Sequence, residues 1–368
     1  MTSYERQNIR QLDSYVPGEQ PETDGVIKLN TNENPYPPAE AVLSAIASVG
    51  GLLLRRYPPA DAAAFRQIAA KVHGVSADHI MATNGGDELL RLAISVFCEP
   101  AGSRGDGGTV GGIGMGTPSY SLMKVLAAVH DTPLATIPLD EDFALPENFA
   151  DRLNDEHCRL AVVVNPHAPS GRLESLQTLE DIARRFNGVV LIDEAYVDFA
   201  DCDALGLLGS DRGLDNVLLL RTLSKGYSLA GLRFGYGIGH PDLIGVLNKA
   251  RDSFNTDIIA QRAAMAALDN REEAHGTWKK VISQRELLSE ELCERGYRVL
   301  PSESNFLLAR PPLDGPEART LYLRLKERKI FVRYFQDPML SDKLRITVGT
   351  PSECKALLEV LDGARRQA

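Results

Sequence analysis

The middle of the chain alternates between short, almost continuously apolar runs and longer stretches whose apolar positions have helical spacing. The apolar runs cover residues 161–164, 189–192 and 217–220, and a helical pattern over residues 178–186 separates the first two. Continuous apolar strands separated by helices are typical of a parallel sheet that is buried on both faces. The pattern therefore predicts an α/β fold. Since ligands of such sheets bind beyond the carboxyl ends of the strands, we expect the functional site at that edge.

After about residue 265 the pattern changes to a charged helical segment followed by shorter strands, which predicts a smaller α+β domain. The strands are predicted over residues 304–308, 331–335 and 344–348, and a capping box at residues 350–353 announces the last helix. The first 38 residues are rich in proline and asparagine and favour extended and turn conformations. The prediction is an N-terminal arm (1–38), a large domain (39–265) and a small C-terminal domain (266–368).

Two turns in the N-terminal half are associated with predicted helices. Asp61 is the expected N-cap of the first helix, and Gly74 is the expected end of that helix. The second turn, residues 85–87, lies between a short strand and a helical run over residues 89–97. A glycine turn at a helix N-terminus suits an anion, although a plain helix-capping turn fits the sequence equally well.

Residues 101–116 are unusually rich in glycine. A dinucleotide-binding fingerprint is excluded, because no strand–helix–strand unit follows at the right spacing and Pro118 interrupts the pattern. The segment predicts a weak, flexible strand.

The composition is that of a soluble globular protein: of 368 residues, 43% are hydrophobic and 24% are charged. A formal net charge of −10 argues against nucleic acid or an anionic membrane as a partner. No targeting segment or membrane-length apolar run is visible, so we expect a cytoplasmic protein. The five cysteines are scattered and the seven histidines form no ligand-spaced pair, so no metal site is predicted.

The candidate chemistry is centred on Lys225, which follows the last apolar strand in a turn rich in hydroxyl groups, with Arg233 eight positions later. Asp193 ends the preceding strand, and Tyr196 lies three positions beyond it. A buried carboxylate needs a cation, and a protonated pyridine nitrogen is one that could meet this need. Asp193 capping a turn and Arg233 in a surface ion pair are simpler explanations, but their joint occurrence at strand ends favours a cofactor on Lys225.

The string RTLSKGYSLAGLRFGY, residues 221–236, resembles the lysine segment of the fold-type I pyridoxal phosphate aminotransferases. The resemblance extends in the same order through LNTNENPYPP, RYPPADAAAF, NGGDELLRLAISVFCEP, TPSYSLM, NPHAPSG, VVLIDEAYVDF, PSESNFLLAR and FVRYFQDPMLSDKLRITVGT, which together cover most of the chain. Within that group the ENPYP, VRYF and LRITVGT segments most resemble the histidinol-phosphate aminotransferase family. This resemblance implies a mostly parallel seven-stranded sheet between helices, a smaller domain, and an arm that packs with the small domain and a dimer partner.

By that resemblance, the catalytic residues are Lys225, which carries the cofactor and moves a proton, Asp193 at the ring nitrogen and Tyr196 at the phenolic oxygen. The other implied cofactor-binding residues are Gly85, Gly86, Asp87, Tyr120, Asn165, Thr222, Ser224, Arg233 and, from the neighbouring subunit, Tyr57. The implied substrate-binding residues are Tyr36, Arg333 and Arg345. One position departs from the family, because Ala168 stands in NPHAPSG where an asparagine is usual. Asn165 could take over its hydrogen bond, or Tyr196 could act alone.

The resemblance implies a homodimer that moves an amino group from glutamate to a phosphorylated oxo compound, expected to be imidazole-acetol phosphate, in histidine biosynthesis. Alternatives within the same fold are an aromatic or other amino-acid aminotransferase and a threonine-phosphate decarboxylase. A non-catalytic cofactor-binding regulator is a more remote alternative, because such proteins usually carry a nucleic-acid-binding domain and this acidic chain offers none.

Overall fold

The computed structural model describes residues 4–12, 18–21, 25–101, 111–209 and 212–365. The strands, in chain order, are β1 Ile27–Leu29, β2 Ile80–Thr83, β3 Gly112–Thr117, β4 Leu134–Pro138, β5 Cys158–Val164, β6 Val189–Asp193, β7 Val217–Thr222, β8 Gly235–Gly239, β9 Arg298–Val299, β10 Phe306–Arg310, β11 Ile330–Tyr334 and β12 Leu344–Thr347. The helices are α1 Gln7–Arg10, α2 Glu40–Ala47, α3 Gly51–Leu54, α4 Ala63–His73, α5 Gly85–Phe97, α6 Leu122–His130, α7 Phe149–Asp155, α8 Leu176–Arg185, α9 Pro241–Ala250, α10 Ile258–Asp269, α11 Arg271–Glu294, α12 Ala318–Glu327 and α13 Pro351–Arg365.

The larger sheet has seven strands among the described residues, in the order β2-β8-β7-β6-β5-β3-β4. Neighbours from β7 to β4 are parallel, and β8 is antiparallel to both β7 and β2. Side chains alternate between two apolar cores: Val190 and Ile192 of β6 pack on one face, and Val189 and Leu191 pack on the other. Because both faces are buried, these strands read as continuous apolar runs. The predicted α/β fold with a mostly parallel sheet is confirmed.

The smaller sheet has the order β1-β11-β12-β10-β9 and is antiparallel except for the pairing of β1 with β11. Residues predicted to form an irregular arm therefore supply a strand to this sheet. The long helix α11 contacts both cores, with Trp278 and Val281 in the larger core and Leu288 and Leu292 in the smaller one. The division of the chain at residues 38 and 265 stays a prediction.

The local capping signals are largely found where the sequence predicted them. Asp61 Oδ1 accepts a hydrogen bond from the backbone N–H of Ala63 at 3.2 Å, although the residue between them occupies the N-cap position. Gly74 ends α4 with a φ of 68°. At the start of α13, Thr350 N–H donates to Glu353 Oε2 at 2.7 Å, and Glu353 N–H donates back to Thr350 Oγ1 at 3.3 Å. This reciprocal pair is the predicted capping box.

The glycines of β3 permit close packing. A Cβ added to Gly114 would lie 2.4 Å from Cδ2 of Leu153, and one added to Gly112 would lie 2.7 Å from the carbonyl oxygen of Pro133. The strand is largely buried and pairs on both sides, with β4 and β5. The prediction of a weak strand is therefore wrong, because the missing side chains make room for neighbouring elements. Residues 102–110 of the predicted segment lie outside the described residues.

Candidate active site

A cavity of about 560 Å³ lies beyond the carboxyl ends of β5, β6 and β7, the edge at which the strand pattern predicted a site. Both sheets and the N-terminal arm contribute to its walls. The predicted site residues that line it are Gly86, Asp87, Tyr120, Asp193, Tyr196, Thr222, Ser224, Lys225, Arg233, Arg333 and Arg345. Residues separated by up to 259 positions in the sequence (345 − 86) therefore share one cavity.

Lys225 follows β7, and its amine projects toward the arm. Its Nζ donates a hydrogen bond to the backbone carbonyl of Thr31 at 3.1 Å. Burial, followed by the charges of Arg345 and Arg233, lowers the pKa of Lys225 to about 8, while Glu33 and Asp87 oppose this shift. A lysine with a lowered pKa exposes more of its neutral, nucleophilic form near neutral pH. The amine is therefore suited to attack a carbonyl carbon.

Asp193 is the last residue of β6, and its side chain is 6% exposed. Its Oδ1 accepts a hydrogen bond from the backbone N–H of Ala195 at 3.1 Å, and among the described residues no cation forms an ion pair with it. Burial, followed by the charges of Asp87 and Glu194, raises the pKa of Asp193 to about 7, while the hydrogen bond from Ala195 and the charge of Lys225 oppose this shift. A buried carboxylate in this state is stabilised by any cation that enters the cavity.

The N-terminus of α5 and the turn after β7 form a cradle for an anion. Arg233 Nη1 donates to Ser224 Oγ at 3.4 Å, and Thr222 Oγ1 donates to the same oxygen at 2.9 Å. Arg233 Nη2 also lies 3.5 Å from Asp87 Oδ2, and Tyr120 Oη donates to Asp87 Oδ1 at 3.2 Å. Free backbone N–H groups and the helix dipole at such a terminus attract phosphate.

The two glycines at the start of α5 permit close packing around this cradle. Gly85 has a φ of 74°, and a Cβ on it would lie 2.8 Å from Arg233 Nη2. A Cβ on Gly86 would lie 2.9 Å from Cδ2 of Leu220. Gly85 is outside the cavity wall, but only a residue without a side chain lets Arg233 lie over the helix start.

Arg333 and Arg345 enter the cavity from neighbouring strands of the smaller sheet, where they lie directly opposite each other. Arg345 Nη2 donates to the carbonyl of Asn30 at 2.9 Å, and both guanidinium groups lie 5.5 Å from the ring centre of Phe335. Like charges directly opposite on a sheet are destabilising unless an anion lies between them. The pair therefore presents to the cavity two planar donor groups of the kind that bind anions.

Tyr196 completes the wall between these anion sites. Its Oη accepts a hydrogen bond from Asn32 Nδ2 at 3.0 Å, and its ring packs edge-on against Phe306 with the ring centres 5.0 Å apart. The side chain is 9% exposed. The Tyr196 side chain is thus held at its hydroxyl by Asn32 and at its ring by Phe306.

Besides Gly85, three predicted site residues, Asn165, Tyr36 and Tyr57, are not on the cavity wall. Asn165 is buried, and its carboxamide is engaged with the backbone of Glu174, accepting from N–H at 2.7 Å and donating to the carbonyl at 3.4 Å. The suggestion that Asn165 replaces the asparagine missing at Ala168 is therefore a misassignment, since its polar atoms point away. Tyr36 contacts the Lys280 amine at 5.2 Å from its ring centre.

Tyr57 is 82% exposed and stacks on Phe254, with their ring centres 4.6 Å apart. Within this chain it lies outside the cavity, so its predicted contact with a neighbouring subunit's cofactor stays a prediction.

The sequence analysis missed several cavity residues. Asn30, Thr31 and Asn32 of the arm line the wall, as does Phe335. The signal was present in the LNTNENPYPP segment, whose polar run directly precedes a turn, but nothing in the sequence indicates which of its side chains face the cavity. Within the described residues, no cluster of His, Cys, Asp and Glu could hold a metal ion, and no helix could span a membrane.

Comparison with known proteins identifies the class. The sequence model of the family described as "Aminotransferase class I and II" matches residues 24–361. The chain therefore belongs to the class I and II aminotransferases, which agrees with a cavity that holds a lysine of lowered pKa and a buried aspartate.

Its relatives narrow the class further. The chain is 42% identical over 362 residues to histidinol-phosphate aminotransferase 1 of Trichormus variabilis, an alignment that covers 98% of this chain and 99% of that protein. It is also 42% identical to the histidinol-phosphate aminotransferase of Citrifermentans bemidjiense, over 97% of both chains. Within the class, the chain belongs to the histidinol-phosphate aminotransferase family.

A solved structure supports the fold. The crystal structure of histidinol-phosphate aminotransferase from Sinorhizobium meliloti in complex with pyridoxal-5'-phosphate superposes with a TM-score of 0.87, over 100% of this chain and 99% of that one, at 24% identity. At this identity the likeness establishes the fold-type I architecture alone.

Proposed function

We propose that the protein is a pyridoxal phosphate-dependent aminotransferase that moves an amino group between glutamate and a phosphorylated oxo substrate, imidazole-acetol phosphate, to give histidinol phosphate. The observation that carries the proposal is the pairing in one cavity of Lys225, whose pKa is lowered to about 8, with Asp193, a buried carboxylate whose pKa is raised to about 7 and which has no cationic partner among the described residues.

The residues of the cavity fit this cofactor. Bound pyridoxal phosphate supplies an aldehyde for the amino group and a ring that withdraws electrons from the reacting carbon. The carboxylate of Asp193 would hold the proton of the ring nitrogen, and Lys225 Nζ would hold the aldehyde carbon. The cradle of Ser224, Arg233 and the Gly86 backbone N–H would hold the phosphate, and Tyr196 Oη would donate to the phenolic oxygen.

The catalytic work of the chain is proton movement and orientation. Once the amino group of a substrate has taken its place at the cofactor, Lys225 Nζ would be free to act as a base. It would take a proton from the substrate carbon and return it to the neighbouring carbon of the cofactor. A pKa near 8 suits that role, because the amine can then both accept and release a proton near neutral pH. Asp193 stays ionised as long as the ring nitrogen beside it is protonated.

The substrate preference rests on the pair Arg333 and Arg345. Two opposed guanidinium groups can bind the phosphate of one substrate and the distal carboxylate of glutamate in turn. An aromatic acceptor offers no negative charge to the distal end of the cavity, so it would make no use of the two guanidinium groups there. The arrangement therefore favours a phosphorylated acceptor.

We further propose that two copies of the chain form a cytoplasmic homodimer that acts on small-molecule substrates. In this dimer Tyr57 would reach the cofactor bound by the partner subunit. Leu52 is 77% exposed, Leu54 56% and Tyr57 82%, and such clustered apolar exposure is typical of an interface. Light scattering should give twice the chain mass. Tyr57→Ala should weaken cofactor binding without changing the stability of the monomer fold, and a monomeric wild-type protein would contradict this part.

The test of the activity is spectroscopic and kinetic. Purified protein with pyridoxal phosphate should show the visible absorbance of a lysine-linked cofactor, and glutamate should bleach it. Lys225→Ala protein should show neither, and persistence of both would disprove the assignment of Lys225. Among acceptors, imidazole-acetol phosphate should be used far more efficiently than phenylpyruvate. Release of carbon dioxide from threonine phosphate without an oxo acid would instead indicate a decarboxylase.

A further inference from the structure

Asn32 is a cavity residue whose polar groups are all engaged in a buried network. It is 2% exposed and has a left-handed backbone, with a φ of 57°. Its backbone N–H donates to Thr347 Oγ1 at 3.0 Å, the Thr347 hydroxyl donates back to Asn32 Oδ1 at 3.0 Å, and its carbonyl accepts from Asn305 Nδ2 at 2.9 Å. A non-glycine residue is kept in this conformation only where the surroundings fix it.

This network decides which way the carboxamide faces. Because the Thr347 hydroxyl donates to Oδ1, the Nδ2 group of Asn32 must point the other way, and it donates to Tyr196 Oη at 3.0 Å. Because Oη is the acceptor, this bond occupies a lone pair of the phenol oxygen and fixes the direction of the hydroxyl group. Hydrogen bonds in such a chain also polarise one another, which makes the phenol a stronger donor.

Ala168 lies in the same small apolar cluster as Tyr196, and it lines the cavity with a methyl group. This wall therefore carries no second side-chain donor at that position. We propose that Asn32 is a positioning residue that acts through Tyr196, directing the phenol O–H toward the cofactor's phenolic oxygen and so compensating for the alanine at position 168. The inference rests on the proposed function.

A donor at the phenolic oxygen has a measurable consequence. It stabilises the negative charge on that oxygen and so weakens the hold of the neighbouring Lys225-linked nitrogen on its proton. Loss of one neutral hydrogen bond should raise the pH at which the visible absorbance of the cofactor titrates by about half to one unit. The charged groups that face Lys225 are Glu33, Asp87, Asp193, Arg233 and Arg345, and none of them is altered in the variants below.

The experiment compares Asn32→Gly with the wild type, because glycine keeps the left-handed backbone and removes only the carboxamide. Spectra of the holoenzyme are recorded against pH, and cofactor retention is measured by dialysis. Asn34→Gly is the control: it removes the same group two positions along, where Nδ2 donates to the Gly226 carbonyl at 3.1 Å and not to Tyr196.

The expected result is an upward titration shift in Asn32→Gly and a smaller one or none in Asn34→Gly. In a Tyr196→Phe background, Asn32→Gly should cause no further shift, which a merely structural role would not produce. The double variant Asn32→Gly with Ala168→Asn should return the titration toward the wild-type value.

An unchanged titration in Asn32→Gly, an equal shift in Asn34→Gly, or an additive shift in the Tyr196→Phe background would each overturn the proposal. If the wild-type protein shows no cofactor absorbance, the proposed function fails instead, so the two failures are distinguishable. Should Asn32→Gly fail to fold, Ala168→Asn alone provides the test, because this variant leaves the arm untouched. It should lower the midpoint of the absorbance titration. An unchanged midpoint would count against the proposal.

Discussion

Replacing Gly85 with alanine tests whether the anion cradle depends on close approach of Arg233 to the start of α5. The added Cβ would lie 2.8 Å from Nη2 and 3.3 Å from Cζ of Arg233. Contacts below 3.0 Å cannot be accommodated without movement, and the guanidinium is the part free to move because its side chain is 49% exposed. We therefore expect the fold to survive and Arg233 to leave the cradle.

The effect of Gly85→Ala on folding stability can be separated from its effect on cofactor binding. A left-handed backbone at a non-glycine residue costs about 1–2 kcal/mol of folding stability. Losing one charge-assisted hydrogen bond to the phosphate costs about 1.5–3 kcal/mol of binding, which is roughly a 10- to 150-fold weaker affinity for the cofactor. Gly74→Ala is a matched control, because Gly74 has a φ of 68° with no atom within 4 Å of the added Cβ. Gly74→Ala should therefore lose the same folding stability through its left-handed backbone, without displacing any side chain.

The assay combines urea unfolding of the cofactor-free proteins with titration of each by pyridoxal phosphate. Both variants should lose similar stability, and only Gly85→Ala should lose affinity. The reasoning is refuted if Gly85→Ala binds the cofactor as tightly as the wild type, or if Gly74→Ala is weakened to the same degree.

Three further predictions concern charged groups of the cavity. In cofactor-free protein, burial raises the pKa of Asp193 from 3.8 to about 7, so its contribution to stability is present at low pH and is lost as the pH rises through about 7. Asp193→Asn should therefore unfold at higher urea than the wild type at about pH 8, with the difference shrinking toward about pH 4; a pH-independent difference would refute this. Arg333→Lys and Arg345→Lys should each raise the KM for the phosphorylated acceptor about 10- to 150-fold, measured by steady-state kinetics, because a single ammonium cannot replace a two-pronged contact. Acylation of Lys225 in cofactor-free protein, followed by peptide mass spectrometry, should be half-maximal near its pKa of about 8, and a midpoint near the ordinary 10.5 would contradict its burial among cations.

Local sequence patterns were sufficient for the central strands β5, β6 and β7 and for the residues at their carboxyl ends. Asp193 and Lys225 were found because each directly follows a buried run, and strand ends of a parallel sheet share one edge. The family resemblance supplied Arg333 and Arg345, which no periodicity in the sequence connects to the lysine. The closeness of residues along one edge of the larger sheet could be predicted from the strand pattern. The contact between the larger and the smaller sheet could not.

The same logic failed where the direction of a side chain decides its role. Asn165 sits at a strand end, as Asp193 does, but its carboxamide turns to the backbone of Glu174, which is nine residues away in the chain. Asn32 was overlooked because its partner Tyr196 is 164 positions distant. The glycines of β3 gave no signal of their own, because the groups they accommodate, such as Leu153 of α7 at Gly114 and the Pro133 carbonyl at Gly112, lie elsewhere in the chain.

The cavity gathers positive charge in a chain whose formal net charge is −10. Arg345 and Arg233 both lower the pKa of Lys225, so the two anion sites and the reactive amine are electrostatically coupled. When a phosphate neutralises the cradle and a substrate anion neutralises the arginine pair, that repulsion is removed and Lys225 holds a proton more readily. The amine is thus most nucleophilic when the sites are empty and most able to retain a proton when they are filled. This order suits the role that we propose for Lys225, which is first to bind an aldehyde and later to act as a base.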